Sequence, residues 1–228
     1  MVNNRILDKN LLVRIATSLI LAPLVLVIVY KGEVLFNIMI VMSAALMAFE
    51  WNNLTSKPSI NKNPALWKLI GLFYITSPCV ALMYIENKDQ GYLIIFWLLI
   101  TVWASDVSAF FVGKLVGGPK LASKISPKKT WSGFLATIGV SYLIGVQSVT
   151  FFESQSPKSL IILTMTIAIY AQIGDLVESW IKRKFEVKDS GSILPGHGGI
   201  LDRVDGIIIT APKVAILLSF SSHYNPFL

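Results

Sequence analysis

Seven apolar stretches, at 11–30, 34–54, 67–85, 92–111, 133–152, 160–181 and 204–220, dominate this 228-residue chain. Each runs roughly 17–22 residues, about what a helix needs to cross a bilayer core some 30 Å thick. In lipid an isolated strand leaves its backbone polar groups unpaired, so the stretches are expected as helices. Only 14% of the residues are charged and 54% are hydrophobic, against about 25% charge in a soluble domain. Apolar runs recur up to the C-terminus, so one N-terminal leader does not explain them. The expected fold class is all-α: a polytopic integral membrane helical bundle of about seven transmembrane helices with cytoplasmic-side polar loops. One domain over 1–228 is the simplest division. The last stretch holds Pro212 and Lys213 and is expected to be kinked or only partly inserted.

The formal net charge is +7, yet it implies no nucleic-acid partner. The basic residues sit in short loops, where membrane proteins keep them, and there they attract anionic lipid or a polyphosphate. Arg5, Lys9 and Arg14 precede the first stretch. Lys57, Lys62 and Lys68 lie in the second loop, Lys114, Lys120, Lys124, Lys128 and Lys129 in the fourth, and Lys182, Arg183 and Lys184 open the sixth. The alternate loops are poor: Lys31 with Glu33, Lys88 with Glu86 and Asp89, Lys158 with Glu153. The bias places the N-terminus and the even loops in the cytoplasm. Cys79 is the only cysteine, so neither an intrachain disulfide nor a cysteine-based metal site is open to the chain.

Against this background, 179–205 is unusual. It holds nine charged residues, His197 and four glycines in 27 positions, between two apolar stretches. Asp106 and Asp175 each lie about seven residues before the inner end of their stretch, or roughly 10 Å deep at 1.5 Å per residue. Glu178 and Ser179 follow Asp175 at i+3 and i+4, on one helix face. Asp202 and Asp205 repeat the i, i+3 spacing, and Glu50 ends the second stretch. Ordinary pairing with a nearby Lys or Arg explains a single acid of this kind equally well. It explains the paired acids less well, because like charges gathered at one depth need cations, and oxygen-rich clusters suit Mg²⁺.

Lys128 and Lys129, with Trp131 beside them, fit plain interfacial anchoring. That leaves the Ser126-Pro127 turn and Thr130 unexplained. The Gly196-His197-Gly198-Gly199 turn lets backbone N–H groups approach an anion, although a flexible turn would read the same. His223 is assigned nothing. There is no GxxxxGK[ST] loop and no GxSxG elbow, which excludes a P-loop and weakens any hydrolase reading.

Ser179, Lys182-Arg183, Lys188-Asp189, Gly191, Leu194-Pro195, His197-Gly198-Gly199, Asp202-Arg203 and Asp205 together resemble the long motif of the phosphatidate cytidylyltransferases (CDP-diacylglycerol synthases). Gly174-Asp175-Leu176 resembles the lead-in to that motif. The stretch from Asp106 to Gly133, with its Ser-Pro-Lys-Lys-Thr, resembles the family's second polar region. The most specific similarity covers 101–212. The chain departs at Ser132, where the family usually has Glu, and Lys213 has no counterpart in the pattern.

The resemblance implies transfer of CMP from CTP to phosphatidate, giving CDP-diacylglycerol and pyrophosphate. It implies Mg²⁺, with a second cation such as K⁺, on Asp175 and Asp202, with Glu178 as a further metal ligand. Asp175, Asp202, Asp205, Lys182 and Arg183 become the expected catalytic set. Ser126, Lys128, Lys129, Ser179, Lys188, His197, Gly198, Gly199 and Arg203 become the expected substrate-binding set. It further implies a cell (inner, cytoplasmic) membrane location, contact with membrane lipid, and a homodimer. The rival readings are a CTP-dependent polyprenol or phytol kinase, an ion-coupled transporter and a degenerate, non-catalytic relative. A transporter would place its acids nearer the midplane, often within inverted repeats; none is seen.

Overall fold

The computed structural model describes residues 9–56, 63–193, 198–220 and 226–227, with side chains from residue 17 onward. Its described residues form seven helices: α1 (Lys9–Lys31), α2 (Glu33–Thr55), α3 (Pro64–Glu86), α4 (Gly91–Leu115), α5 (Trp131–Phe151), α6 (Pro157–Lys184) and α7 (Leu201–Phe220). Each apolar stretch of the sequence coincides with one helix to within a few residues. Hydropathy finds them because, in lipid, only a helix satisfies its own backbone. Arg5, Lys57, Lys62 and His223 lie outside the described residues.

Five helices, α2 to α6, are long and apolar enough to cross a membrane, and the protein is a multi-pass membrane protein. The described apolar part of α1, Thr17–Lys31, is shorter. Helix α7 carries Asp202, Arg203, Asp205 and Lys213 and is less apolar for that reason. Lys213 nonetheless finds a partner: its Nζ lies 3.6 Å from the centroid of the Tyr170 ring on α6, a cation–π contact. Large apolar side chains such as Phe49, Phe73, Phe110 and Leu143 point outward. In water that surface would be a liability; in lipid it is the solvated face.

Around the bundle the neighbours run α2, α3, α7, α6, α5, α4, and α4 also touches α1, α3, α6 and α7. Helix α4 is the central post: Ile94, Ile95, Leu98 and Val102 are nearly inaccessible. A second core lies under the loop that joins α6 to α7. Trp51, Trp67, Phe185 and Leu201 are buried there. The Phe185 ring meets Trp67 edge-on at 4.9 Å, and the Trp51 indole N–H donates to the Trp67 carbonyl at 2.9 Å. This aromatic floor joins the ends of α2, α3 and α6 to the start of α7.

One element is absent from the sequence reading. Strands β1 (Lys120–Ala122) and β2 (Ser126–Thr130) form an antiparallel hairpin with Lys120 opposite Thr130 and Ala122 opposite Ser126. Ser126-Pro127 therefore opens a strand rather than a turn into α5. A two-stranded ribbon has free edges, where the missing N–H of Pro127 is tolerated. Strand alternation then separates the two lysines: Lys128 is exposed, while Lys129 turns inward. Thr130 caps α5, its Oγ1 accepting from the Gly133 N–H at 3.2 Å. Ser132 donates its hydroxyl to the Gly117 carbonyl and ties the hairpin entrance to α5.

Candidate active site

The polar residues of α4, β2, α6 and α7 meet at one end of the bundle. Lys129, aimed inward by β2, reaches α6 and places its Nζ 2.6 Å from Asp175 Oδ2. The same ammonium donates to Gln172 Oε1 at 3.0 Å. Gln172 in turn donates to Asp106 Oδ1 at 2.9 Å. Ser179, one turn after Asp175, donates to Asp175 Oδ1 at 3.2 Å. The line Asp106–Gln172–Lys129–Asp175–Ser179 thus crosses three elements without a break. Gln172 is nearly buried and was missed in the sequence. Its signal was an amide three residues before Asp175 in an otherwise apolar helix.

A second group surrounds Lys182. Its Nζ lies 2.5 Å from Asp202 Oδ1 and 3.3 Å from Glu178 Oε1, and the three side chains are only 11%, 5% and 3% exposed. The other oxygen of Asp202, Oδ2, accepts from the Ser190 N–H, the Ser190 hydroxyl and the Gly199 N–H, each at 2.9 Å. Asp202 is therefore the staple that folds the motif loop back onto α7. The anion that the Gly199 N–H meets in this structure is the chain's own carboxylate.

Glu50 holds the loop from the other side. It is 1% exposed. Its oxygens accept from the Ile200 N–H and the Leu201 N–H at 3.0 Å each, and from the Ser190 hydroxyl at 3.4 Å. These are the free N–H groups at the start of α7, where negative charge is favourable. The motif glycines are explained by this contact. A Cβ on Gly191 would lie 2.7 Å from Glu50 Oε1, and one on Gly199 would lie 2.6 Å from Glu50 Oε2. Gly198 has φ +83°, and its Cβ would lie 2.9 Å from Asp202 Oδ2. In the sequence Glu50 was only one acid among several near helix ends, with nothing to link it to a loop 150 residues away.

Helices α6 and α7 approach closely at Gly174, where a Cβ would overlap the Asp205 carbonyl oxygen. That contact sets Asp175 beside the first turns of α7. Asp205 accepts from the Gly206 N–H at 2.7 Å. Arg183 points away from the acids; it donates to the Ile125 carbonyl at 3.3 Å and the Val187 carbonyl at 3.0 Å, joining the hairpin to the end of α6. Ser126 is half-buried, while Lys128, Lys188 and Arg203 are exposed and form no ion pair among the described residues. His197, with Leu194, Pro195 and Gly196, lies outside the described residues.

The donor set suits a divalent cation in one respect and is incomplete in another. Neither buried Glu178 oxygen accepts a hydrogen bond; the Lys182 ammonium faces Oε1 at 3.3 Å, and a buried Oε2 without a donor is costly unless a further cation faces it. No group of three or more acids, histidines or cysteines is already arranged as a metal cage among the described residues. Mg²⁺ does not require such a cage, since it commonly binds through one or two carboxylates, water and substrate phosphates. The residues therefore fit a Mg²⁺ that arrives with a phosphate-bearing substrate.

The family model for cytidylyltransferases matches residues 64–221. A Rickettsia bellii protein named phosphatidate cytidylyltransferase is 39% identical over 213 residues, 90% of this chain and 89% of that protein. One of the same name from Rickettsia felis is 36% identical over 211 residues, 90% of both chains. A third, from Brucella abortus, is 40% identical over 146 residues, 64% of this chain and 54% of that protein.

Proposed function

The chain belongs to the cytidylyltransferase family, and from that premise we propose that it transfers CMP from CTP to phosphatidate, releasing CDP-diacylglycerol and pyrophosphate. The observation that carries the reading is the meeting of Lys129 with Asp175, and of Lys182 with Glu178 and Asp202, from β2, α6 and α7 at one end of a multi-pass bundle. The family match supports cytidylyl transfer over the lipid-kinase and transporter alternatives, and over a degenerate relative. Loop charge supports an active site and an N-terminus on the cytoplasmic side of the cell membrane, with α1 and α7 completing seven spans. That is the side CTP reaches, at the depth where a lipid phosphate lies. A homodimer is carried by family resemblance alone.

In the reaction a phosphatidate oxygen attacks the α-phosphorus of CTP, and the bond to pyrophosphate breaks on the opposite side. Two polyanions must be brought together, so neutralising and positioning charge is most of the work. Lys128, Lys188 and Arg203, exposed and without an ion pair among the described residues, would take phosphate oxygens, the arginine by a two-pronged contact. Lys129 and Lys182 already neutralise Asp175 and Asp202. As substrate phosphates enter, the two ammonium groups can turn toward them and release the carboxylates. Asp175, Glu178 and Asp202 would hold Mg²⁺, with Asp205 beside them; a second cation such as K⁺ would share the site. When bound, Mg²⁺ would supply neutralisation of the charge on the substrate phosphates. Ser179 orients Asp175, Arg183 joins the hairpin to the end of α6 and Ser126 pairs within it, Gly198 and Gly199 let the loop close on Asp202 and Glu50, and His197 is proposed as a substrate contact on the resemblance alone. A phosphate monoester is largely ionised near neutral pH, so no general base is required.

The test uses purified protein in detergent–phosphatidate micelles with base-labelled CTP. The cytidine label should enter the organic phase only with Mg²⁺ and phosphatidate. Asp202→Asn should lower the rate by about 10²–10³-fold while the protein still inserts and elutes as a single species. Near wild-type transfer by that variant would sink the assignment of Asp202.

A further inference from the structure

The two lysines that neutralise the carboxylates of the site are held in different ways. Lys182 faces two acids, Asp202 at 2.5 Å and Glu178 at 3.3 Å, and all three side chains are deeply buried. Lys129 faces one acid, Asp175 at 2.6 Å, and this pair is more open, 16% and 32% exposed. Its other contacts are uncharged and come from a single residue: the Gln172 amide oxygen at 3.0 Å and the Gln172 backbone carbonyl at 3.4 Å. A phosphate that draws Lys182 outward must part it from two buried acids. One that draws Lys129 parts it from one, partly solvated acid. Breaking a buried pair costs far more than opening an exposed one, so Lys129 is the lysine that turns first.

The Gln172 amide fits only one way round. Its N–H₂ donates to Asp106 Oδ1 at 2.9 Å on one side, and its oxygen accepts from Lys129 on the other. Turned over, it would set N–H₂ against an ammonium and a carbonyl oxygen against a carboxylate. Asp106 therefore keeps the acceptor aimed at Lys129, and Gln172, 3% exposed, leaves little room for water to replace it. We propose that Gln172 is a positioning residue for Lys129: it anchors the ammonium while one N–H passes from Asp175 to a substrate phosphate. The inference rests on the proposed activity and adds which lysine is handed over and what holds it. Asp175 is freed in the same movement and stays oriented by the Ser179 hydroxyl at 3.2 Å.

The test uses the full chain in detergent–phosphatidate micelles with base-labelled CTP. Gln172→Met keeps the length of the side chain and removes both amide contacts. It should lower kcat/KM roughly tenfold or more, the worth of a hydrogen bond to a charged group. In a Lys129→Met background the same substitution should cause no further loss, because residues in contact are not additive. The same fold-loss in both backgrounds, the mark of a merely structural glutamine, would overturn the inference, as would no loss beside wild-type Lys129. Asp106→Leu gives a second cycle in which every variant keeps Lys129. It frees the amide to turn, so kcat/KM should fall, and Asp106→Leu combined with Gln172→Met should be no worse than Gln172→Met alone. Full additivity there would overturn the inference even where Lys129→Met transfers too slowly to measure. Equilibrium dialysis of labelled CTP without phosphatidate identifies the source of the phosphate. A fall in CTP affinity with Gln172→Met means that Lys129 takes a nucleotide phosphate. Unchanged CTP affinity with a raised KM for phosphatidate means that it takes the lipid phosphate, and no change in either would overturn the hand-over. No transfer by the wild-type chain would instead overturn the activity, while CTP binding still reads the effect of Gln172.

Discussion

Glu50 and Asp202 grip the loop between α6 and α7 from opposite sides. Ser190 donates its N–H to Asp202 and holds its hydroxyl within reach of both carboxylates, 2.9 Å from Asp202 and 3.4 Å from Glu50, so the two act on one hinge of backbone. Glu50→Gln keeps the size of the side chain but removes its charge, and it turns an amide N–H₂ toward the N–H of either Ile200 or Leu201, which now meet separate oxygens. The expected loss is about 1–3 kcal/mol of stability, the cost of an unsatisfied buried group, together with a fall in kcat. Thermal unfolding in detergent and cytidine transfer read the two effects, and a Gln variant equal to wild type in both would show that the carboxylate merely fills space. Glu50 lies before the family-matched region of 64–221, so its part in the site was legible only once the chain was folded. Asp175 and Asp202 were legible, because acids paired at i+3 inside an apolar chain are costly and need a purpose.

The closeness of α6 and α7 is set by what one helix lacks. Gly174 brings the α6 backbone against the Asp205 carbonyl oxygen. Gly174→Ala should force the two helices apart, cost about 1–3 kcal/mol as overpacking does, and lower transfer by moving Asp175 away from α7. Gly139 provides the contrast. A Cβ there meets nothing within 4 Å, and Gly139→Ala in α5 should raise stability by up to about 1 kcal/mol, the helix-propensity gain. Thermal unfolding of the two single variants would show opposite signs; the same sign in both would refute the close-approach argument. Sequence alone located both helices but not their contact, since any glycine in an apolar run reads the same. The hairpin was also missed: Ser-Pro-Lys-Lys-Thr carries no apolar alternation, and its strand geometry comes from the pairing of Ser126 and Thr130 with β1.

Across the whole molecule the loop charges predict a topology that is directly measurable. In a Cys79→Ala background, a cysteine at exposed Lys124 should be shielded from an impermeant maleimide added to intact cells. One at exposed Gln155, on the opposite side of α5, should react. The reverse pattern would invert the bundle and place the cluster where CTP does not reach it.

By itself the sequence determined the seven helices and which polar residues interrupt them. These are local properties: hydropathy over about 20 residues fixes a span, and short spacings place acids on one helix face. Only the tertiary structure decided which charges pair. Lys129 meets Asp175 from a separate strand, Lys182 bridges Glu178 and Asp202, and Glu50 caps a helix that begins 151 residues later. Partners so far apart leave no periodic trace in the chain, because packing among several helices, not spacing along one, brings them together.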